Sequence, residues 1–161
     1  MSDTVRSILT GTAGLDVAAA VALILTVRRP ARATPPNFLL LGWITLGIQS
    51  LHFVEEWLSG FGVRFPLLLG LNPWPETFFV SFNLAWLVIW AAALLTVVRT
   101  RVALFPLWFL AIAAIANGLA HPLASLGTRG YFPGLVTAPL LGVAGVLLFA
   151  RLLAYTDDKR V

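Results

Sequence analysis

Cysteine is absent from the chain, which excludes disulfides, thiolate metal ligands and a cysteine nucleophile. Charge is scarce as well: 11% of the 161 residues are charged, where a soluble domain carries about a quarter. There is no glycine-rich phosphate loop and no run of Lys and Arg interleaved with aromatics. The net charge of +4 therefore does not read as a nucleic-acid surface. Internal repeats and low-complexity segments are missing too. What remains is 59% hydrophobic, arranged in runs bounded by basic residues, prolines and glycines. That is the composition of an integral membrane protein, read here as one domain over residues 1–161 with its polar face turned inward.

The runs predict an all-α fold, a bundle of five transmembrane helices over about 10–27, 37–57, 76–98, 102–123 and 134–155. About 20 apolar residues suffice to span a hydrocarbon core. The first run is followed, not preceded, by Arg28, Arg29 and Arg32, so it reads as a retained helix rather than a cleaved signal. Pro30, Pro35 and Pro36 make a short loop, and Asp157, Asp158, Lys159 and Arg160 a polar tail. The segment 59–75 is rich in Gly and Pro yet apolar at 66–69. Irregular backbone cannot lie unpaired in lipid, so this segment is expected at the interface or folded over the helix ends as a lid. Of the 11 Lys and Arg residues, only Arg6, Arg64 and Arg129 fall on one side. The positive-inside rule makes the other side cytoplasmic. The expected location is the cell membrane, multi-pass, with the N-terminus outside and the C-terminus inside.

The stretch that organises the chain is His52-Phe53-Val54-Glu55-Glu56. Charged groups inside a membrane-length helix cost roughly 2.5–3.5 kcal/mol each on insertion scales, and such residues mark function by default. Depth along each helix shows what meets them. At about 1.5 Å per residue, His52, Asn83 and Asn117 each lie roughly 22 Å from the basic end of their helices. Glu55, Glu56 and His121 lie roughly 27–29 Å up, and Asp16 roughly 16 Å. The faces agree: His52, Glu55 and Glu56 are at i, i+3 and i+4, as are Asn117 and His121 at i and i+4. Glu76, Asn83, Trp86 and Trp90 form a stripe down the third run. Pro122 removes a helical donor from the Gly118 carbonyl beside Asn117 and His121. A polar site is therefore expected in the outer half of the bilayer, closed by the 59–75 segment.

The His52-Phe53-Val54-Glu55-Glu56 stretch resembles the signature of the HXXEE family of small bacterial membrane proteins. The later Asn117 and His121 pair and the helical plan are also similar. The resemblance implies a multi-helix membrane fold and brings no activity with it.

Paired imidazoles and carboxylates suit zinc, iron or manganese. The favoured reading is a metal-dependent membrane enzyme acting on a lipophilic small molecule. His52, His121, Glu55 and Glu56 supply ligands, His52, Glu55 and Glu56 the catalytic groups. Asn83, Asn117, Trp86, Trp90, Glu76 and Asp16 stand around them as supports or pocket. A second reading needs no metal: a carboxyl acid and Trp faces serving an isomerase or terpenoid cyclase. This residue kit, though no extended motif, resembles that of small five-helix sterol isomerases. A third is a binding protein or a proton or ion relay. The plainer accounts are a His52–His121 clamp between helices, Trp86 and Trp90 as packing, and the glutamates snorkelling toward Arg64. Membrane lipid is the expected surrounding, nucleic acid is not expected as a partner, and a homo-oligomer is left open.

Overall fold

The computed structural model describes residues 2–29 and 37–156; the Pro30, Pro35 and Pro36 loop and the tail from Asp157 lie outside the described residues. The described residues form six α-helices and no strand: α1 Asp3–Arg28, α2 Leu39–Leu58, α3 Phe61–Leu68, α4 Glu76–Thr96, α5 Leu104–Thr128 and α6 Ala138–Thr156. A 3-10 turn, Arg101–Ala103, leads into α5. Four helical stretches are long and apolar enough to cross a membrane: α1, α4, α5 with its leading turn, and α6. Five were expected. The helix that does not qualify is α2, which has the length but carries Gln49, His52, Glu55 and Glu56.

Helix α5 is the centre of the bundle. Leu104, Leu107, Trp108, Leu110, Ala111 and Ala114 on it are fully buried. It packs on α1, α4 and α6, while α2 packs on α4 and α6. The α5–α6 seam is built from small residues. A Cβ on Gly118 would come within 2.5 Å of the Gly142 Cα, so the two backbones touch. Small residues four apart, Ala114 with Gly118 and Ala138 with Gly142, allow this approach, as is common between membrane helices. Large apolar side chains on the outer faces, among them Val17, Leu40, Val88, Leu95 and Leu126, are exposed. A belt of that kind has no place in water and suits lipid.

Helix ends are tied down. Ser2 accepts from the Val5 amide at the start of α1, and Asp3 stands in its first turn. At the other end the Arg101 guanidinium donates to the Thr26 and Val27 carbonyls at 2.7 and 2.8 Å. It thereby satisfies acceptors that no helical amide reaches. Helix α5 continues through Pro122 to Thr128, beyond the end expected at 123, and closes on Arg129 in the left-handed region.

The segment 59–75 contains a helix that was not expected. After Gly60, at φ +80, the chain forms α3 despite Pro66. Pro66 has no N–H for the Gly62 carbonyl four residues earlier. The Trp74 amide takes that carbonyl instead, at 2.8 Å. The Ser7 hydroxyl donates to the Asn72 carbonyl, fastening the segment to α1. Phe61 and Phe65 of α3 then meet Trp74 edge-on, and Phe61 also packs on Phe79. The segment thus covers one end of the bundle.

Candidate functional site

Helix α2 turns Gln49, His52 and Glu56 inward; all three are buried. Across from them, α5 supplies His121, 3% exposed. The His52 and His121 rings meet edge to face, with centroids 4.7 Å apart. Glu56 Oε1 lies 3.5 Å from His52 Nε2 and 3.4 Å from His121 Nε2. One ligand atom from each of the three lies within 4.8 Å of the others.

The far sides of both rings are fixed by the connection 131–137 between α5 and α6. His121 Nδ1 meets the Pro133 carbonyl, which can only accept, so Nδ1 carries the proton. His52 Nδ1 is 2.7 Å from Thr137 Oγ1. The Thr137 hydroxyl donates its one proton to Glu55 Oε2 at 2.6 Å, so it accepts from His52 Nδ1–H. In the neutral rings both Nε2 atoms are therefore bare lone pairs, and both face Glu56. His52 Nε2 is buried without a hydrogen-bond partner. Three acceptors pointed at one another call for a cation or a shared proton. Two separations bear on the choice, those from Glu56 Oε1 to the two Nε2 atoms. They exceed the roughly 2.5–3.0 Å of a carboxylic O–H hydrogen bond. Ligand atoms on a tetrahedron with bonds of about 2.0–2.1 Å stand roughly 3.3–3.4 Å apart, close to the two distances from Glu56 Oε1.

Glu55 has a different surrounding from Glu56, against the expectation that both serve the site. Its two oxygens accept from the Tyr131 hydroxyl, the Val136 and Thr137 amides and the Thr137 hydroxyl, at 2.6–2.9 Å. It is a carboxylate cap on the N-terminus of α6, where the helix dipole favours negative charge. With both oxygens engaged it stands outside the His/Glu/His group. Partial burial, together with the carboxylate beside it, pushes the Tyr131 hydroxyl above its ordinary range and keeps its proton in place. Arg64 does not pair with the glutamates; it donates to the Tyr131 carbonyl at 2.8 Å. Gly134 lies against both imidazoles at φ +85. A Cβ there would come within 2.6 Å of the His121 ring and 2.7 Å of the His52 ring.

Glu56 and His121 open onto a cavity of about 250 Å³. Asn83, Asn117, Trp86 and Trp90 all line it, as does Gln49, one turn inward from His52. Phe61 covers His121, with ring centroids 5.4 Å apart. Two expected members are elsewhere. Asp16 is exposed and off the cavity wall, because Leu15 and Ala18 occupy the inner face of α1 and Asp16 lies about 100° round from Leu15. Glu76 is exposed and accepts from Trp57 Nε1 at 2.9 Å, in the first turn of α4 where its charge is favourable. Sequence reasoning missed Gln49, although it shares the α2 stripe at i−3 from His52 and i−7 from Glu56. It also missed Thr137, Pro133 and Gly134, whose roles come from contacts between distant parts of the chain.

No curated protein and no solved structure matches this chain. The sequence model of one family, described as proteins of unknown function with an HXXEE motif, matches residues 43–149. That span holds the whole His52, Glu56 and His121 group with the loop that orients it, and the chain belongs to this HXXEE-motif family.

Proposed function

We propose that the protein is a metal-dependent membrane enzyme in which His52, Glu56 and His121 hold one divalent transition metal beside a pocket for a lipophilic substrate. The observation that carries this is the pair of bare Nε2 atoms turned on one oxygen of Glu56, 3.5 and 3.4 Å from it, with each Nδ1 proton committed elsewhere. Histidine ligands characteristically donate the other ring N–H to a fixed acceptor, and Thr137 backed by Glu55 and the Pro133 carbonyl are such acceptors. Two imidazoles and one carboxylate suit zinc, iron or manganese. Three protein ligands would leave room for a further one, and Glu56 and His121 both border the cavity from which it would come. A metal there supplies Lewis-acid or water-activating chemistry. The chain itself supplies an apolar pocket, the cover of Phe61 and fixed ring tautomers.

The site belongs to the outer half of the bilayer under α3, by the depth of its residues and the basic residues at the opposite helix ends. Elemental analysis of purified wild-type protein tests the reading. Zinc, iron or manganese near one equivalent, as isolated or after reconstitution, is expected. Less than a tenth of an equivalent with no gain on reconstitution overturns it.

A metal-free alternative has one observation in its favour: Glu56 borders the same cavity as Trp86 and Trp90. A protonated Glu56 could act as the acid of an isomerase or cyclase, with the Trp faces stabilising a developing cation. In that case Glu56→Gln abolishes turnover while metal content stays at background in wild type and variant alike.

A further inference from the structure

The cavity beside the His/Glu/His group carries polar atoms that metal binding does not use. Gln49 Oε1, Trp74 Nε1 and Trp90 Nε1 are buried without a hydrogen-bond partner, and all three residues line the cavity. The Trp108 indole is unpartnered too, but it lies in the core away from the cavity and says nothing about a ligand. An acceptor and two donors left unpaired around one apolar space are costly unless something fills the space and pairs with them.

Shape follows from the helix. Phe78, Phe82, Trp86 and Trp90 recur every fourth residue on α4 and all line the cavity, a row roughly 18 Å from first to last. Trp74 packs on Phe78 at the outer end of that row, with centroids 5.8 Å apart. Trp90 closes the inner end. Trp57 meets Glu76, Phe53 meets Phe79 and Gly42 meets Leu94, so α2 runs antiparallel to α4, which brings Gln49 further in than Glu56. Side chains lean toward the N-terminus of their own helix, so Gln49 leans inward and Trp90 outward, toward each other.

Charge narrows the occupant further. Among the described residues no Lys or Arg lines the cavity, and Glu56 and His121 are its only ionisable ones. A phosphate-bearing lipid would find no counter-charge along the aromatic row. A hydroxyl matches what is there: its proton suits Gln49 Oε1 and its oxygen suits Trp90 Nε1.

We propose that the cavity takes a neutral, elongated lipid bearing a hydroxyl group. The hydroxyl is anchored between Gln49 and Trp90, and the apolar skeleton lies along the α4 aromatic row past Glu56 and His121. This names the substrate class of the proposed enzyme and rests on that reading only in calling the lipid a substrate; the binding itself needs no metal.

The test uses the full chain in phosphatidylcholine nanodiscs, treated with chelator so that the presence or absence of metal does not enter. The probe is a long-chain primary alcohol with a mid-chain diazirine. Unlabelled long-chain alcohol and the alkane of equal length serve as competitors. Labelling is expected on cavity residues of α4 and α5, with the alcohol competing at least about tenfold better than the alkane, the size of one good hydrogen bond. Gln49→Leu and Trp90→Phe should each erase most of that preference while keeping the helical circular dichroism of wild type. Should Gln49→Leu fail to fold, Trp90→Phe and the wild-type comparison decide. Equal competition by alcohol and alkane overturns the proposal. So does labelling confined to outward residues such as Val88 and Leu119, or an undiminished preference in a folded variant. A negative metal analysis leaves this result standing, and failure here leaves the metal site standing.

Discussion

Replacing Glu56 by Gln keeps the shape of the side chain and removes its charge, and the consequence differs from that of the same change one residue earlier. Glu56 faces two lone pairs and no donor, so its carboxylate contributes little to a metal-free fold. The chelated Glu56→Gln protein should melt no lower than chelated wild type, because the amide can donate to an Nε2 that otherwise has no donor. Metal should no longer raise its midpoint. Wild type should gain about 2.7 kcal/mol at a metal concentration a hundredfold above the dissociation constant. Glu55→Gln behaves the other way. An amide turns a donor toward the Val136 and Thr137 amides or the Tyr131 hydroxyl, costing about 1.5–3 kcal/mol with or without metal. Melts of the two variants with and without chelator check this. Equal chelator sensitivity in both would mean that the two carboxylates share one role. His121→Ala removes a ligand outright, so its melting should be insensitive to chelator and its metal content at background.

At the scale of elements, the connection 131–137 holds the group together. It carries the acceptor for each Nδ1, ties to α2 through Glu55, and sits between the seam-packed helices α5 and α6. Gly134→Ala should therefore do more than strain a backbone at φ +85. Its methyl group would press on both imidazoles and spread the two Nε2 atoms. Metal affinity should fall about tenfold or more, the usual size of an effect on the groups that orient ligands, as read by competition with a chromophoric chelator. Unchanged affinity would show that the loop only covers the site. The parts of this arrangement that could be read from sequence are those that helical periodicity carries. His52 and Glu56 share a face at i and i+4, and His121 falls at their depth on another helix. Glu55 and Asp16 show the limit of that reasoning, since one residue turns a side chain by about 100° and a membrane run alone does not say which way. Thr137 was out of reach, because its bonds to His52 and Glu55 span 85 and 82 residues with no pattern between them. Helix α3 was hidden by its own glycines and Pro66, whose missing donor is made good by Trp74, a partner outside the helix.

For the whole molecule, the question is whether α2 crosses the membrane with its neighbours. By composition it does not qualify, but its polar residues are turned inward. Gln49, His52 and Glu56 are buried, while Leu40, Ile44, Leu51, Val54 and Leu58 are exposed. The face that lipid would meet is thus as apolar as that of α4. Helix α2 also lies antiparallel to α4, with Trp57 against Glu76, Phe53 against Phe79 and Gly42 against Leu94, and packs on α6, so it shares their orientation across the bundle. If α2 crosses together with the four helices that qualify, the number is odd and the two ends of the chain fall on opposite sides. On that count the positive-inside rule would put the end with Arg28, Arg29, Arg99 and Arg101, where α1 ends and α5 begins, in the cytoplasm, and the end with Arg6, Arg64 and Arg129 outside. A periplasm-active reporter fused at the N-terminus and a cytoplasm-active one at the C-terminus should both be active, and the reverse pair silent. Four crossings would put both ends on one side. Activity of the same reporter at both ends would show that α2 does not span, and would place His52 and Glu56 at a membrane surface rather than inside the bilayer.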